Sequence, residues 1–176
     1  MKTGWLLLLC SLLIGCGAAN LSEHTGTIPE LKLEQFFDGD LIAYGMVLDR
    51  SGNLLRRFEA DLVAEWQGDQ GEIKEWFRFA DGERSTRIWK LVKTGDNTYT
   101  GTAGDVIGEA YGETQGSALY WKYTLEIEVD GSMYEVTLDD WMFLMDDRVM
   151  LNKAVMSKWG FDLGEVTLFF KRRAPN

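Results

Sequence analysis

Cysteine is nearly missing from this 176-residue chain: Cys10 and Cys16 are the only two. Cys10 lies inside an apolar run at the N-terminus, so a chain cut at Cys16 keeps no pair for a disulfide. Once Cys16 is consumed as described below, the chain has no cysteine nucleophile and no cysteine metal ligand, and stability must come from a core. Histidine is scarcer still. His24 stands alone in a polar stretch, reads as a solvated residue, and excludes a histidine triad or a multi-histidine metal site within one chain. The two prolines, Pro29 and Pro175, sit near the ends, and nothing internal reads as a linker. Positive charge is short as well, with 18 Lys and Arg against 28 Asp and Glu and a net charge of -10. Loss of residues 1–15 removes Lys2 and no acid, which takes the net charge to -11. Such a chain is a poor partner for nucleic acid or for an anionic lipid surface. No convincing helical period runs over three turns in the body of the chain, and no glycine loop carries a P-loop lysine.

What is present begins with Lys2 and an apolar run of about ten residues, Trp5 to Ile14, followed by Gly15 and Cys16. That length suits a signal core of ~7–15 residues and falls short of the ~20 that a spanning helix needs. Leu13-Ile14-Gly15-Cys16 resembles a bacterial lipobox, whose cysteine sulfur receives a diacylglycerol and becomes the new N-terminus. Two or three acyl chains give the multiple signals that stable anchoring requires. The expectation is a signal peptide over 1–15, a lipidated N-terminus and tether over 16–30, and one domain over 31–176. Cys16 would hold the protein on the periplasmic side of a bacterial cell envelope. Gly17, which is not the aspartate of an inner-membrane retention signal, points to the outer membrane.

From Gly39 onward the period is two. Phe58, Ala60, Leu62, Ala64 and Trp66 share one face, against Glu59, Asp61 and Glu65 on the other. Leu119, Trp121, Tyr123, Leu125, Ile127 and Val129 alternate with polar residues over a dozen positions, and Tyr134-Val136-Leu138 and Val166-Leu168-Phe170 repeat the pattern. Turn chemistry separates the runs at 49–53, 67–71, 81–83, 95–97 and 130–132. Leu31 to Phe37 reads as a short helix or an extended lead-in. The reading is all-β: an antiparallel up-and-down meander of about 8–10 strands closing into a barrel, which removes the exposed edges. A barrel of that size holds side chains or one small ligand.

Several blocks carry a resemblance: Phe36-Phe37-Asp38-Gly39, Trp76-Phe77-Arg78-Phe79-Ala80-Asp81-Gly82, Arg87-Ile88-Trp89, Tyr99 to Val106, Gly108-Glu109-Ala110-Tyr111-Gly112, Leu119 to Tyr123, Leu138-Asp139-Asp140-Trp141 and Phe169-Phe170-Lys171. Together they resemble the DUF3833 family of bacterial proteins over nearly the whole mature chain. The resemblance implies a lipoprotein and a strand order similar to lipocalin-like barrels. It carries no activity and no functional residues.

Candidate site residues come from spacing. Trp76 and Arg78 share a strand face, as do Arg87 and Trp89 on the next strand. Two Trp-Arg pairs are thus expected on one face: inside, the arginines would hold a carboxylate or phosphate head group beside the indoles, and outside they would stack across strands. Tyr99, Tyr111, Trp121 and Tyr123 are further candidates to line a cavity, and the methionines from Met142 to Met156 would add an adaptable wall. Core packing explains each of these too. Asp139-Asp140 and Asp146-Asp147 are adjacent acids that point to opposite faces or sit in turns, so neither reads as a dyad; Asp105 with Glu109 reads as a loop brace.

The functional expectation is a non-enzymatic binder of a small apolar or amphipathic molecule such as a lipid or fatty acid, with no cofactor, no metal and no catalytic residue assigned. The alternative is a structural or assembly lipoprotein working through an exposed apolar patch. A third reading is an enzyme using buried carboxylate or tyrosine groups.

Overall fold

Each alternating run becomes a strand, and the turns between them decide which face points inward. The computed structural model describes residues 20–129 and 131–174. A single 3-10 turn, Leu21–His24, leads to a one-turn helix α1, Leu33–Phe36. Ten strands follow: β1 Gly39–Asp49, β2 Leu54–Gln67, β3 Gln70–Phe79, β4 Arg84–Lys93, β5 Thr98–Thr102, β6 Val106–Gln115, β7 Ala118–Val129, β8 Ser132–Leu144, β9 Val149–Lys158 and β10 Phe161–Arg172. Each pairs antiparallel with its sequence neighbours, and β1 closes on β10, with Ala43 opposite Phe170, to complete the barrel. Every strand therefore has two partners and no edge is left open.

Alternation sorts the side chains. Leu41 and Ala43 in β1, Ala60, Leu62 and Ala64 in β2, and Met150, Asn152 and Ala154 in β9 are buried inside, while their neighbours face out. Small residues recur on the inner wall and let large rings fold over them. Trp121 lies so closely on Gly112 and Gly101 that a Cβ on Gly112 would stand 1.8 Å from its ring, and one on Gly101 2.9 Å away. Trp66 covers Gly71 and Phe58 covers Gly45 in the same way.

The two ends of the barrel differ. At the end holding the β2–β3, β4–β5, β6–β7 and β8–β9 turns, α1 forms a floor: Leu31, Leu33, Phe36 and Phe37 are buried with Leu41, Leu119, Leu144, Met150 and Phe170. A helix of one turn has no stability of its own, and side chains pin this one. Trp66 Nε1 donates to the Phe37 carbonyl at 2.8 Å, and the Glu34 carboxylate accepts from Lys93 at 2.6 Å and from the Tyr99 hydroxyl at 2.8 Å. Although burial opposes ionisation of Glu34, those bonds hold its pKa below the ordinary value. At the opposite end, the mouth, interior residues such as Phe77, Ile127, Met156 and Val166 are only half-buried, and the hairpin tips expose Leu54, Leu55, Met133, Trp159 and Phe161.

The stretch before α1 departs from the solvated tether expected over 20–30. Residues there lie along the outer wall at the floor end. His24 packs against Trp141 and Phe143, ring centres 6.1 and 5.4 Å away, because both rings sit on the outer face of β8. Thr27 Oγ1 accepts from Ser117 N at 2.8 Å, and Leu31 N donates to the Gly116 carbonyl. Cys16 lies outside the described residues.

Candidate functional site

The β3–β4 turn sets the chemistry of the interior. It places Glu75 opposite Arg87 and Ile73 opposite Trp89. Both pairs point inward. A one-residue difference in register exchanges the two faces of a strand, so Trp76 and Arg78, expected on the face of Arg87 and Trp89, point outward instead. Trp76 is exposed, and Arg78 spends its guanidinium on Glu59 at 2.7 Å and Asp61 at 2.6 Å on the outer wall of β2. Tyr111 also points outward and is 63% exposed, because its neighbours Ala110 and Gly112 take the inner positions of β6. Tyr99 does face inward, but at the floor, where burial and then the Glu34 carboxylate that accepts from its hydroxyl push its pKa up.

Four of the expected residues meet inside: Arg87, Trp89, Trp121 and Tyr123. Trp89 makes edge-on contacts with Trp121 and Tyr123, ring centres 6.1 and 5.5 Å away. Arg87 crosses above them. Its Nε donates to both carboxylate oxygens of Asp105 at 3.0 Å and its terminal nitrogen to one of them at 2.5 Å. Desolvation disfavours the guanidinium, but Glu75 and Asp105 outweigh it and keep the group charged. Asp105 therefore braces β4 to the β5–β6 turn, while Glu109, its expected companion, stays exposed at the bulge in β6.

Three further polar residues complete the cluster, none of them singled out by the sequence as binding groups. Glu75, from β3, faces Arg87. Asp140, from β8, accepts from the Tyr123 hydroxyl at 3.2 Å and from the Asn152 amide, which also donates to the Trp141 carbonyl at 3.2 Å. Burial pushes both Glu75 and Asp140 up to about 7; the bonds from Asn152 and Tyr123 and the charge of Arg87 pull Asp140 the other way and are outweighed. Burial, with Asp140 beside it, pushes the Tyr123 hydroxyl well above its ordinary range. Asp139, the neighbour of Asp140, points outward, as alternation requires, and binds Tyr120 and Lys122 there. The signal for the interior acids was available in the strand period: Asp140 shares parity with Leu138 and Val136, and Glu75 with Ile73 and Phe77.

This geometry surrounds a polar cluster with aromatic walls at mid-barrel, above a sealed floor and below a half-buried apolar mouth. Among the described residues, no group of three or more His, Cys, Asp or Glu is placed to hold a metal ion, and no helix is long and apolar enough to cross a membrane. A family model described as a protein of unknown function, DUF3833, matches residues 10–172. The chain belongs to the DUF3833 family. No curated relative matches it. In this DUF3833 barrel a surface groove of about 500 Å³ lies apart from the interior, beside the β1–β2 turn and the outer wall of β9 and β10. Its Lys153 and Glu165 neutralise each other at 2.9 Å.

Proposed function

We propose that this DUF3833 protein is a lipid-anchored envelope protein whose barrel binds a small apolar or amphipathic molecule of lipid type without transforming it. The observation that supports it is the interior itself: charged side chains at mid-barrel, walled by Trp89, Trp121 and Tyr123, beneath a mouth of half-buried apolar residues. Cores seldom bury acids without a use for them. An apolar body lies against the wall while the cluster orients its polar end. The anchor rests on the sequence around Cys16. Four residues from Cys16 to Asn20 reach no more than ~14 Å, and Asn20 begins the segment that packs at the floor end. An anchored barrel would then turn its mouth away from the bilayer, on the periplasmic side and, from Gly17, of the outer membrane.

Native mass spectrometry of protein extracted without harsh detergent tests the reading. A co-purified small molecule that is lost on denaturation is the expected result. A bare protein whose tryptophan fluorescence no amphiphile shifts would overturn it. One observation favours a second reading, a structural or assembly lipoprotein working through its surface: Trp159, 88% exposed, and Phe161, 70% exposed, stand at one hairpin tip of the mouth. On that reading, replacing both by serine abolishes a partner interaction and leaves ligand binding untouched.

A further inference from the structure

The interior cluster holds more acceptors than donors. Glu75, Asp105 and Asp140 contribute three carboxyls, and Arg87 is the cation set among them. Arg87 already gives its Nε and a terminal nitrogen to Asp105. Tyr123 spends its hydroxyl proton on Asp140, and Asn152 spends its amide on Asp140 and the Trp141 carbonyl. Among the wholly buried side-chain atoms of these residues, a carboxylate oxygen of Glu75, Oε2, and the amide oxygen of Asn152, Oδ1, have no partner. Both are acceptors. Both belong to side chains more than nine-tenths buried, at 9% and 2% exposure.

We propose that this site takes an ammonium head group: the ligand is an amphipathic primary amine, and a free fatty acid is disfavoured. The inference rests on the ligand-binding reading above and names its head-group class. An ammonium carries three donors and no acceptor, which suits an excess of carboxyls around a single guanidinium. A carboxylate would bring a further acceptor-only anion to a site that already holds three carboxyls and a single guanidinium, itself paired with Asp105, and buried charge without a partner is costly. Two cations turn inward nearer the mouth, and Arg56 keeps its buried Nε without a partner. Arg56 pairs with Asp81 at 2.9 Å and Glu83 at 2.8 Å, and Lys158 lies over the Tyr134 and Trp159 rings, 4.8 and 5.0 Å from their centres.

The groups facing Glu75 are Arg87 from β4, Asp105 from the β5–β6 turn and Tyr123 from β7, with Asp140 of β8 and Asn152 of β9 beyond Tyr123; β2 presents Leu62 beside it. Near neutral pH the two mid-barrel carboxyls still hold protons part of the time. A bound ammonium displaces those protons, so affinity rises with pH until the amine itself deprotonates.

The test titrates the full-length protein with dodecylamine, dodecanol and dodecanoate, each below its micellar concentration, at pH 5.5 and pH 8, by calorimetry or tryptophan fluorescence. At pH 8 the amine is expected to bind at least about tenfold tighter than dodecanoate, and to tighten about tenfold from pH 5.5 to 8. Glu75→Gln should keep dodecanol binding and lose about tenfold in amine affinity, which separates the interior site from general attraction to an acidic surface. Asp140→Asn serves the same purpose if Glu75→Gln does not fold. Equal or tighter binding of dodecanoate, or unchanged amine affinity in the folded variants, overturns the head-group inference and leaves the ligand-binding reading standing. No binding of any of the three overturns both.

Discussion

Single residues inside this barrel carry a pH dependence that can be worked out. Burial raises the folded-state pKa of Glu75 from 4.5, and of Asp140 from 3.8, to about 7. A carboxyl raised in this way favours the fold in its protonated form. Its contribution is fully present below the unfolded pKa and is lost as pH rises through about 7. The differences, about 2.5 pH units for Glu75 and about 3 for Asp140, cost on the order of 3–4 kcal/mol per group. The protein is therefore expected to be most stable near pH 5 and to lose a few kcal/mol by pH 8. Glu75→Gln and Asp140→Asn should each flatten that dependence, and urea midpoints across the range measure it. A Glu75→Gln variant with the wild-type pH slope would show that Glu75 ionises without hindrance.

At the scale of elements, parity decides which residues meet. In β8 the pattern of Val136, Leu138 and Asp140 delivers the acid inward and Asp139 outward, and this was legible from the alternation alone. For β3 and β4 the alternation was equally clear, yet it did not say which set of one strand shares a face with which set of the next. That depended on the register across the Ala80–Glu83 turn, which puts Trp76 and Arg78 outside. Close packing gives a second element-scale prediction. A Cβ at Gly112 would strike Trp121, whereas one at Gly104 meets nothing within 4 Å. Gly112→Ala should cost about 3 kcal/mol, at the upper end for overpacking. Gly104→Ala should be close to neutral. Denaturant unfolding of the two variants makes the comparison, and equal stabilities would mean that Trp121 has room to move away.

For the whole molecule, closure of β10 on β1 joins the two ends of the chain, and α1 seals one end of the resulting cylinder. Ten strands leave a wider interior than eight, whose interior is just filled by side chains. The proposed anchor makes its own prediction at this scale. Cys16→Ser should block lipid attachment and leave the precursor uncleaved by the lipoprotein signal peptidase. Metabolic labelling with a fatty acid, together with the size of the product on a gel, reads both effects. Normal maturation of the variant would leave only a secreted barrel.

Cys16, the residue for which a covalent chemistry is proposed, is legible only in sequence. Sequence also determined the architecture, because period-two alternation and turn residues are local signals that each strand carries by itself. The contents of the interior were decided by tertiary structure. Arg87, Asp105, Glu75, Tyr123, Asp140 and Asn152 come from β3, β4, β7, β8, β9 and the β5–β6 turn, and only the registers of a closed sheet bring them together. Whether an arginine was available to a ligand depended on its partner. Asp105 takes the Nε and a terminal nitrogen of Arg87, and the same registers set two further carboxyls, Glu75 and Asp140, into the interior that the spacing of the arginines did not announce.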